Sequence, residues 1–153
     1  MKEAEHNTNA VRSFKHYGYG AHKLSDQGGK FAGAKPCDII ARSPLGRYIA
    51  VEGKLIKKWE GFNSKVLRDN QRAELEKTSL TKEGMAFIFL YVHIPKECHY
   101  CVVFDWRTHK ELLDQGIQIC DMRAMRFGLW LPAIKDKDGK TIYNITKIMK
   151  RAR

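Results

Sequence analysis

The sequence predicts a mixed α/β domain in which helices flank a central β-sheet. The chain has 153 residues, a length typical of one domain. Hydrophobic residues make up 43% of it, which is enough for a buried core. Segments with the 3.6-residue period of helices alternate with strand-like segments, in the order helix, three strands, helix, two strands and an extension.

The first predicted element is a helix over residues 3–16. At 100° per residue, Ala10 and Phe14 fall on one apolar side of this helix. Glu3 falls in the middle of the same side, so we expect Glu3 to face the sheet. Glu5 falls on the opposite, polar side.

Three strands and a second helix are predicted next. A short strand around residues 20–26 leads into a glycine-rich loop. Residues 36–43 and 46–54 are expected to form a β-hairpin joined by a tight turn. In the helix predicted over residues 66–80, Gln71 lies within the apolar stripe, with a leucine four residues to either side.

Further strands are predicted in the C-terminal half. The apolar run 84–95 shows no alternation, which is typical of a strand buried on both faces. Residues 98–106 predict the next strand, and a short helix follows over residues 108–116. Two more strands are expected, around residues 125–132 and 139–148.

The charge of the chain indicates a polyanionic partner. Lys and Arg number 28 against 17 Asp and Glu, which gives a net charge of +11. Nucleic acid is the first candidate and an anionic membrane the second. No apolar run approaches the roughly 20 residues of a membrane span, and the N-terminal segment has no apolar signal-peptide core. The sequence predicts no basic amphipathic helix, which disfavours an anionic membrane, so we expect no membrane partner. We expect a cytoplasmic location, in the host if the protein is viral.

The cysteines do not predict a clear metal site. Cys98 and Cys101 form a CxxC pair, and a structural zinc site needs further ligands at ordered spacing. His93, His99 and Cys120 could supply them, but their spacing is irregular. We favour the interpretation that a strand happens to contain two cysteines.

Charged residues on the predicted hairpin indicate metal-assisted phosphodiester hydrolysis. Glu52 and Lys54 are two positions apart in a strand, so they share a face. Hairpin pairing can bring Asp38 beside them, and two carboxylates suit Mg²⁺. A lysine can orient the attacking water or stabilise developing charge, and Gln71 can point at the same place. The alternatives are a surface salt bridge, worth about 0–1 kcal/mol, and a structural role for Gln71.

The basic segment that follows the hairpin is a candidate DNA contact. In LIKKWEGFNSK, cations interleave with aromatic side chains, a pattern that can hold a phosphate backbone and stack on exposed bases. The alternative is an aromatic pair that closes the core, and the KRAR tail either contacts phosphate or solubilises the chain end. With two lysines of the glycine-rich loop, the candidate DNA-binding residues are Lys30, Lys35, Lys57, Lys58, Trp59 and Lys65.

Together these residues resemble the PD-(D/E)xK nuclease superfamily, and more closely the Holliday-junction resolvases of the RecU/Hjc type. The resemblance covers about residues 1–107. It implies a restriction-endonuclease-like fold, with a central mixed sheet flanked by helices in a single nuclease domain over residues 1–153. Residues 108–153 would be a C-terminal extension. The matching stretches are HNTNAVRSFKHYGYGAHK, PCDII, GRYIAVEGK and VLRDNQRAEL.

The resemblance also implies roles for individual residues. Asp38 and Glu52 would hold Mg²⁺, for which Mn²⁺ could substitute. For the carboxylate that the family places on its first helix, Glu3 is preferred and Glu5 is the second choice. The implied catalytic residues are Glu3, Asp38, Glu52, Lys54 and Gln71.

The expected activity is the cleavage of four-way DNA junctions by a homodimer that makes paired symmetric nicks. A two-fold substrate that is cut twice suits a two-fold enzyme. Phe127, Leu129, Trp130 and Leu131 are candidates for the dimer surface, although they could equally cover the sheet. Two other functions stay open: a related DNA end or repair nuclease, and a non-catalytic nucleic-acid-binding protein on a nuclease-like scaffold.

Overall fold

The computed structural model describes residues 2–24, 35, 37–58, 67, 69–117 and 126–151. Of residues 150 and 151 it describes only the backbone. Within these residues the chain forms helices on both sides of a sheet. In chain order the elements are α1 (Glu3–His16), β1 (Gly20–Lys23), β2 (Ile39–Arg42), β3 (Tyr48–Ile56), α2 (Asp69–Leu80), β4 (Met85–Ile94), β5 (Cys98–Asp105), α3 (Trp106–Asp114), β6 (Leu129–Lys135), β7 (Thr141–Tyr143) and α4 (Thr146–Arg151).

The strands form one seven-stranded mixed sheet in the order β1-β2-β3-β4-β5-β6-β7. Neighbouring strands are antiparallel except β3 and β4, which are parallel and are connected through α2. A parallel pair needs such a crossover connection. The first half of β6 pairs with β5 and its second half with β7. The predicted class, a single domain with a central mixed sheet and flanking helices, is confirmed.

Two separate cores cover the two faces of the sheet. Because strand side chains alternate, odd-numbered residues of β3 face α1 and even-numbered ones face α2. The α1 face includes Phe14, Val51, Phe89, Tyr91 and Tyr143. The α2 face, which α3 also covers, includes Ala50, Leu75, Ile88, Val102 and Leu112.

The strand predicted over residues 139–148 is too long. The structure has only Thr141–Tyr143 in β7, and the chain then turns into α4. Asn144 explains the change, because its Oδ1 accepts a hydrogen bond from the backbone N–H of Thr146, 3.3 Å away. A bond from an asparagine side chain to the N–H two residues later forms an Asx turn, which ends the strand just before the helix begins.

The third helix begins earlier than predicted, at Trp106 instead of residue 108. Asp105 ends β5 and caps the helix, because its Oδ1 accepts the backbone N–H of Thr108 at 2.9 Å. Trp106 is therefore a buried residue of α3, whereas the sequence predicts that it ends the preceding strand. Apolar residues stand on both sides of Asp105, so the sequence pattern does not show where the strand ends and the helix begins.

The C-terminal elements lie on the α1 side of the sheet. The backbone N–H of Tyr143 donates to Ser13 Oγ at 2.7 Å, and Arg12 donates to the carbonyl of Thr141 at 3.0 Å. Leu131 is fully buried, so it covers the sheet and cannot be part of an open dimer surface, whereas Phe127 is 50% exposed. In the described part of the chain, no helix combines the length and apolar character that a bilayer crossing requires.

Candidate active site

The β2–β3 register sets Asp38 beside Glu52. Ile39 pairs with Val51, and extending this register by one residue places Asp38 opposite Glu52. The backbone N–H of Asp38 donates to the carbonyl of Val51 at 3.0 Å, which continues the ladder. Asp38 Oδ2 in turn accepts the backbone N–H of Gly53 at 2.9 Å. Both carboxylates are buried, with 6% of Asp38 and none of Glu52 exposed.

Only one carboxylate oxygen of Glu52 is held by neighbouring groups. Gln71 Nε2 donates to Glu52 Oε1 at 2.9 Å, and Lys54 Nζ lies 3.4 Å from the same oxygen. Glu52 Oε2 is buried and has no hydrogen-bond partner among the described residues. Buried polar atoms nearly always have a partner, so this oxygen is suited to accept a cation or a water.

Burial and charge disfavour the ionised form of Glu52. Burial first, and then the neighbouring charge of Asp38, raises the pKa of Glu52 to about 8, although Lys54 opposes the rise. Two close carboxylates in a low-dielectric site repel each other unless a cation lies near both. Asp38 and Glu52 offer oxygen ligands, which are the ligands that Mg²⁺ prefers, so the residues present fit such an ion.

Gln71 reaches the site from the first turn of α2. It is buried between Leu67 and Leu75 on the side of α2 that faces the sheet. Next to it, Asn70 Nδ2 donates to the backbone carbonyl of Lys35 at 3.0 Å. This second contact, which the sequence does not predict, links Lys35, three residues before Asp38, to α2.

Lys35 is an ion-pair partner of Asp38. Its Nζ lies 2.8 Å from Asp38 Oδ1, and 19% of its side chain is exposed. The sequence predicts Lys35 only as a DNA contact of the glycine-rich loop. Its ammonium group and that of Lys54 thus place two positive charges beside the two carboxylates.

The two glutamates of the first helix occupy different environments. Glu3 is partly buried, and its Oε2 accepts the backbone N–H of Leu55 at 3.1 Å, one residue beyond Lys54. Glu5 is exposed and accepts the backbone N–H of Lys2 at the start of its own helix. Glu3 therefore touches β3 from the α1 face, while Glu52 and Lys54 lie on the α2 face.

Gly53 allows α1 to approach the strand that carries the site. A Cβ atom on Gly53 would lie 2.1 Å from Asn7 Oδ1 and 2.8 Å from Tyr91 Cε2. Tyr91 donates its hydroxyl to that same Asn7 oxygen at 2.7 Å, so Asn7 is held against the strand. Any side chain at Gly53 would displace these groups.

The candidate DNA contacts are only partly described. Lys57 and Lys58 are exposed and follow β3 directly. The remaining candidates, Lys30, Trp59 and Lys65, lie outside the described residues. Lys57 and Lys58 are thus available to a partner at the end of the strand that carries Glu52.

The CxxC pair cannot bind one metal ion, because its cysteines face opposite sides of β5. Cys98 packs with the α2-face core and Cys101 with the α1-face core. Cys120 lies outside the described residues. His93 and His99 do come together, since they pair across β4 and β5.

The sequence matches no protein-family model and no curated protein. Among solved structures, the chain is similar to Hjc, a Holliday junction resolvase from the archaeal hyperthermophile Archaeoglobus fulgidus. The two chains are 18% identical, and the match covers 64% of this chain and 72% of that chain with a TM-score of 0.43. The case for a function therefore rests on the geometry of the residues themselves.

Proposed function

We propose that the protein is a metal-dependent endodeoxyribonuclease that resolves four-way DNA junctions in the cytoplasm. The observation that carries the proposal is the cluster of two buried carboxylates and a lysine at the start of β2 and on β3, in which one oxygen of Glu52 has no hydrogen-bond partner among the described residues. Burial of like charges is costly, and a cation bound between the two carboxylates would offset that cost.

Asp38 and Glu52 would hold Mg²⁺, or Mn²⁺ in its place. When bound, this ion supplies charge stabilisation at the phosphate and lowers the pKa of a coordinated water. Lys54 Nζ, which lies 3.4 Å from Glu52, can orient the attacking water or stabilise the negative charge that develops on the phosphate. Gln71 fixes Glu52 Oε1, and the N–H of Gly53 fixes Asp38 Oδ2, so both ligands are preorganised.

Positive charge near the cluster supports a nucleic-acid substrate. The chain has a net charge of +11, and Lys35, Lys57 and Lys58 lie beside or just after the residues of the cluster. Phosphate contacts of this kind give affinity without sequence readout. Glu3, on the other face of β3, would support the strand and not touch the ion.

The preference for four-way junctions and the homodimer are the finer parts of the proposal. The motif resemblance of GRYIAVEGK and VLRDNQRAEL supports them, as does the fit of a two-fold enzyme to a two-fold substrate. A related DNA end or repair nuclease would use the same cluster on a different substrate.

One observation favours a non-catalytic DNA-binding protein as the second candidate. Lys35 already neutralises Asp38, and Lys54 lies beside Glu52, so both carboxylates have cationic partners within the protein. A scaffold that had lost catalysis could retain the cluster as a pair of buried ion pairs.

Cleavage assays separate these candidates. A synthetic four-way junction and a linear duplex of matched sequence would be incubated with the protein in Mg²⁺ or in EDTA. Glu52→Gln is the test variant, and Glu83→Gln, at an exposed position, is its matched control. We expect paired symmetric nicks in the junction only, lost in EDTA and in Glu52→Gln but not in Glu83→Gln.

Other outcomes would change the conclusion. Equal cleavage of both substrates would indicate a general or end-directed nuclease. Tight junction binding with no cleavage in Mg²⁺ or Mn²⁺ would overturn the catalytic proposal. Size measurements on the protein–junction complex would test the homodimer, because a single chain per junction contradicts it.

A further inference from the structure

Three histidines from different elements meet on the α1 face of the sheet. His6 comes from α1, and His93 and His99 are directly paired across β4 and β5. The rings of His93 and His99 stack with centroids 4.2 Å apart, and the ring of His6 lies edge-on to both, at 5.3 and 5.1 Å. One ring nitrogen from each histidine lies within 4.8 Å of those from the other two.

The most buried of the three rings has an unused nitrogen. His6 is fully buried, and its Nε2 has no hydrogen-bond partner in the described part of the molecule. A buried imidazole normally satisfies both nitrogens, so this atom needs a ligand or a water. Its other nitrogen, Nδ1, lies 3.4 Å from the hydroxyl of Tyr143.

Tyr143 contacts the cluster in the way that an outer-shell residue of a metal site does. Its hydroxyl lies 3.0 Å from His99 Nε2 as well as 3.4 Å from His6 Nδ1. A phenolic oxygen can accept two hydrogen bonds, one from each ring. With both protons directed to Tyr143, His6 Nε2 and His99 Nδ1 carry lone pairs, and metal-bound histidines are commonly oriented by such a partner.

Burial favours the neutral, metal-binding form of His6 and His99. Burial, and then the proximity of the other histidines, lowers the pKa of His6 to about 4. Burial also lowers the pKa of His99 to about 4, with His93 and Lys135 contributing. Neutral imidazole is the ligand form, so no proton has to be removed near neutral pH.

We propose that His6, His93 and His99 bind one divalent transition-metal ion, with Zn²⁺ the favoured ion. Imidazole suits Zn²⁺, whereas Mg²⁺ prefers oxygen ligands, so this site would not compete for the ion of the carboxylate cluster. Zinc accepts three histidines with a fourth position open to water, and His93 and His99 are partly exposed to solvent.

The proposed ion requires the rings to close and to reorient. Zn–N bonds of about 2.0–2.1 Å place tetrahedral nitrogens about 3.4 Å apart, so a 4.8 Å separation must shorten by up to about 1.4 Å. The rings of His93 and His99 are stacked with their planes 16° apart, so their in-plane lone pairs do not converge, and at least one of these partly exposed rings must also rotate. Because the ligands come from α1, β4 and β5, the ion would cross-link the N-terminal helix to the sheet.

Metal-binding measurements test the site directly. The purified protein would be equilibrated with Zn²⁺, its bound metal measured, and its absorption recorded with Co²⁺ in place of zinc. We expect one ion per chain and a tetrahedral cobalt spectrum without thiolate charge-transfer bands. His93→Ala and His99→Ala should each weaken binding by at least about 100-fold.

Controls keep the two metal sites apart. His22→Ala removes an exposed histidine from β1, and Glu52→Gln alters the carboxylate cluster; both should retain the zinc. Loss of zinc in Glu52→Gln but not in His93→Ala would overturn the proposal, as would a thiolate band in the cobalt spectrum. Failure of the wild type to retain zinc or to show the cobalt spectrum would overturn it without reference to any variant.

Discussion

The two faces of the sheet carry different polar chemistry, the carboxylates at β2 and β3 and the histidines at β4 and β5. On the α2 face, Asp38 and Glu52 bring buried oxygen ligands together with cations. On the α1 face, His6, His93 and His99 bring nitrogen ligands together with a tyrosine hydroxyl. The strand alternation of side chains keeps the two groups apart, although β3 and β4 are direct neighbours.

With this separation, the two proposed sites would not interfere although they share one sheet. Burial and the neighbouring charge of Asp38 raise the pKa of Glu52 to about 8, so its ionised form needs a hard cation or the lysine beside it. Burial lowers the pKa of His6 and His99 to about 4, so these rings need no counter-charge near neutral pH, but His6 Nε2 has no partner among the described residues. Selectivity between ions then follows from ligand type, because oxygen and imidazole ligands favour different metals.

Removal of the Lys54 ammonium group should slow the proposed DNA cleavage at the carboxylate cluster on the α2 face. We expect Lys54→Ala to slow junction cleavage by about 10²–10³-fold, because removing a group that stabilises transition-state charge has a cost of this size. Single-turnover cleavage at saturating protein measures the effect on the chemical step. Lys77→Ala, an exposed lysine on α2, is the matched control and should cleave like the wild type. An unimpaired Lys54→Ala would exclude a catalytic role for Lys54.

A side chain at Gly53 should disturb the packing of α1 against the sheet. The Cβ atom in Gly53→Ala would overlap Asn7 and Tyr91, so α1 would have to move away from β3. We expect a loss of about 2–3 kcal/mol in the free energy of unfolding, measured with urea. Gly20→Ala is the control, since a Cβ atom there has no neighbour within 4 Å. Equal stability of the two variants would show that α1 does not pack tightly against β3.

The pH dependence of stability should distinguish the carboxylate face from the histidine face. The raised pKa of Glu52 means that folding favours its protonated form. Its contribution is complete below the unfolded pKa of 4.5 and is lost as pH rises through 8. His6 and His99 have pKa values lowered by burial to about 4, so they destabilise the fold only as pH falls below 6.5.

Between pH 6.5 and 8, Glu52 therefore contributes most among these groups to the pH dependence of the unfolding free energy. In EDTA, we expect the wild type to lose about 1–2 kcal/mol of unfolding free energy across that interval, and Glu52→Gln to lose much less. Urea unfolding at a series of pH values measures both curves. Parallel curves for the two proteins would mean that Glu52 ionises normally in the folded state.

Much of the fold could be predicted from the sequence because local patterns determined it. The period of residues 3–16 gave α1 with its correct bounds, and the apolar run gave β4. Caps were harder to recognise: Asp105 starts α3 and Asn144 precedes α4, and each acts through one side chain inside an otherwise continuous pattern.

The proximity of the polar residues could be predicted only where sequence spacing determines it. A hairpin register places Asp38 by Glu52, and helical spacing directs Gln71 inward. The contact between Lys35 and Asp38 depends on the path of an irregular segment, which has no period. The meeting of His6 with β4 and β5 depends on how α1 packs on the sheet, and nothing local to residue 6 specifies that.

The packing of β7 against α1 joins segments from opposite ends of the sequence. Tyr143 and Ser13 are hydrogen-bonded although 130 residues separate them, and Ile145 and Ile148 belong to the same core as Phe14. The two segments therefore close the sheet's α1 face together. Opening of either one exposes the other to solvent, so they should loosen as one cooperative unit. A fragment that ends near residue 107 would lack this closure and would not be expected to fold on its own.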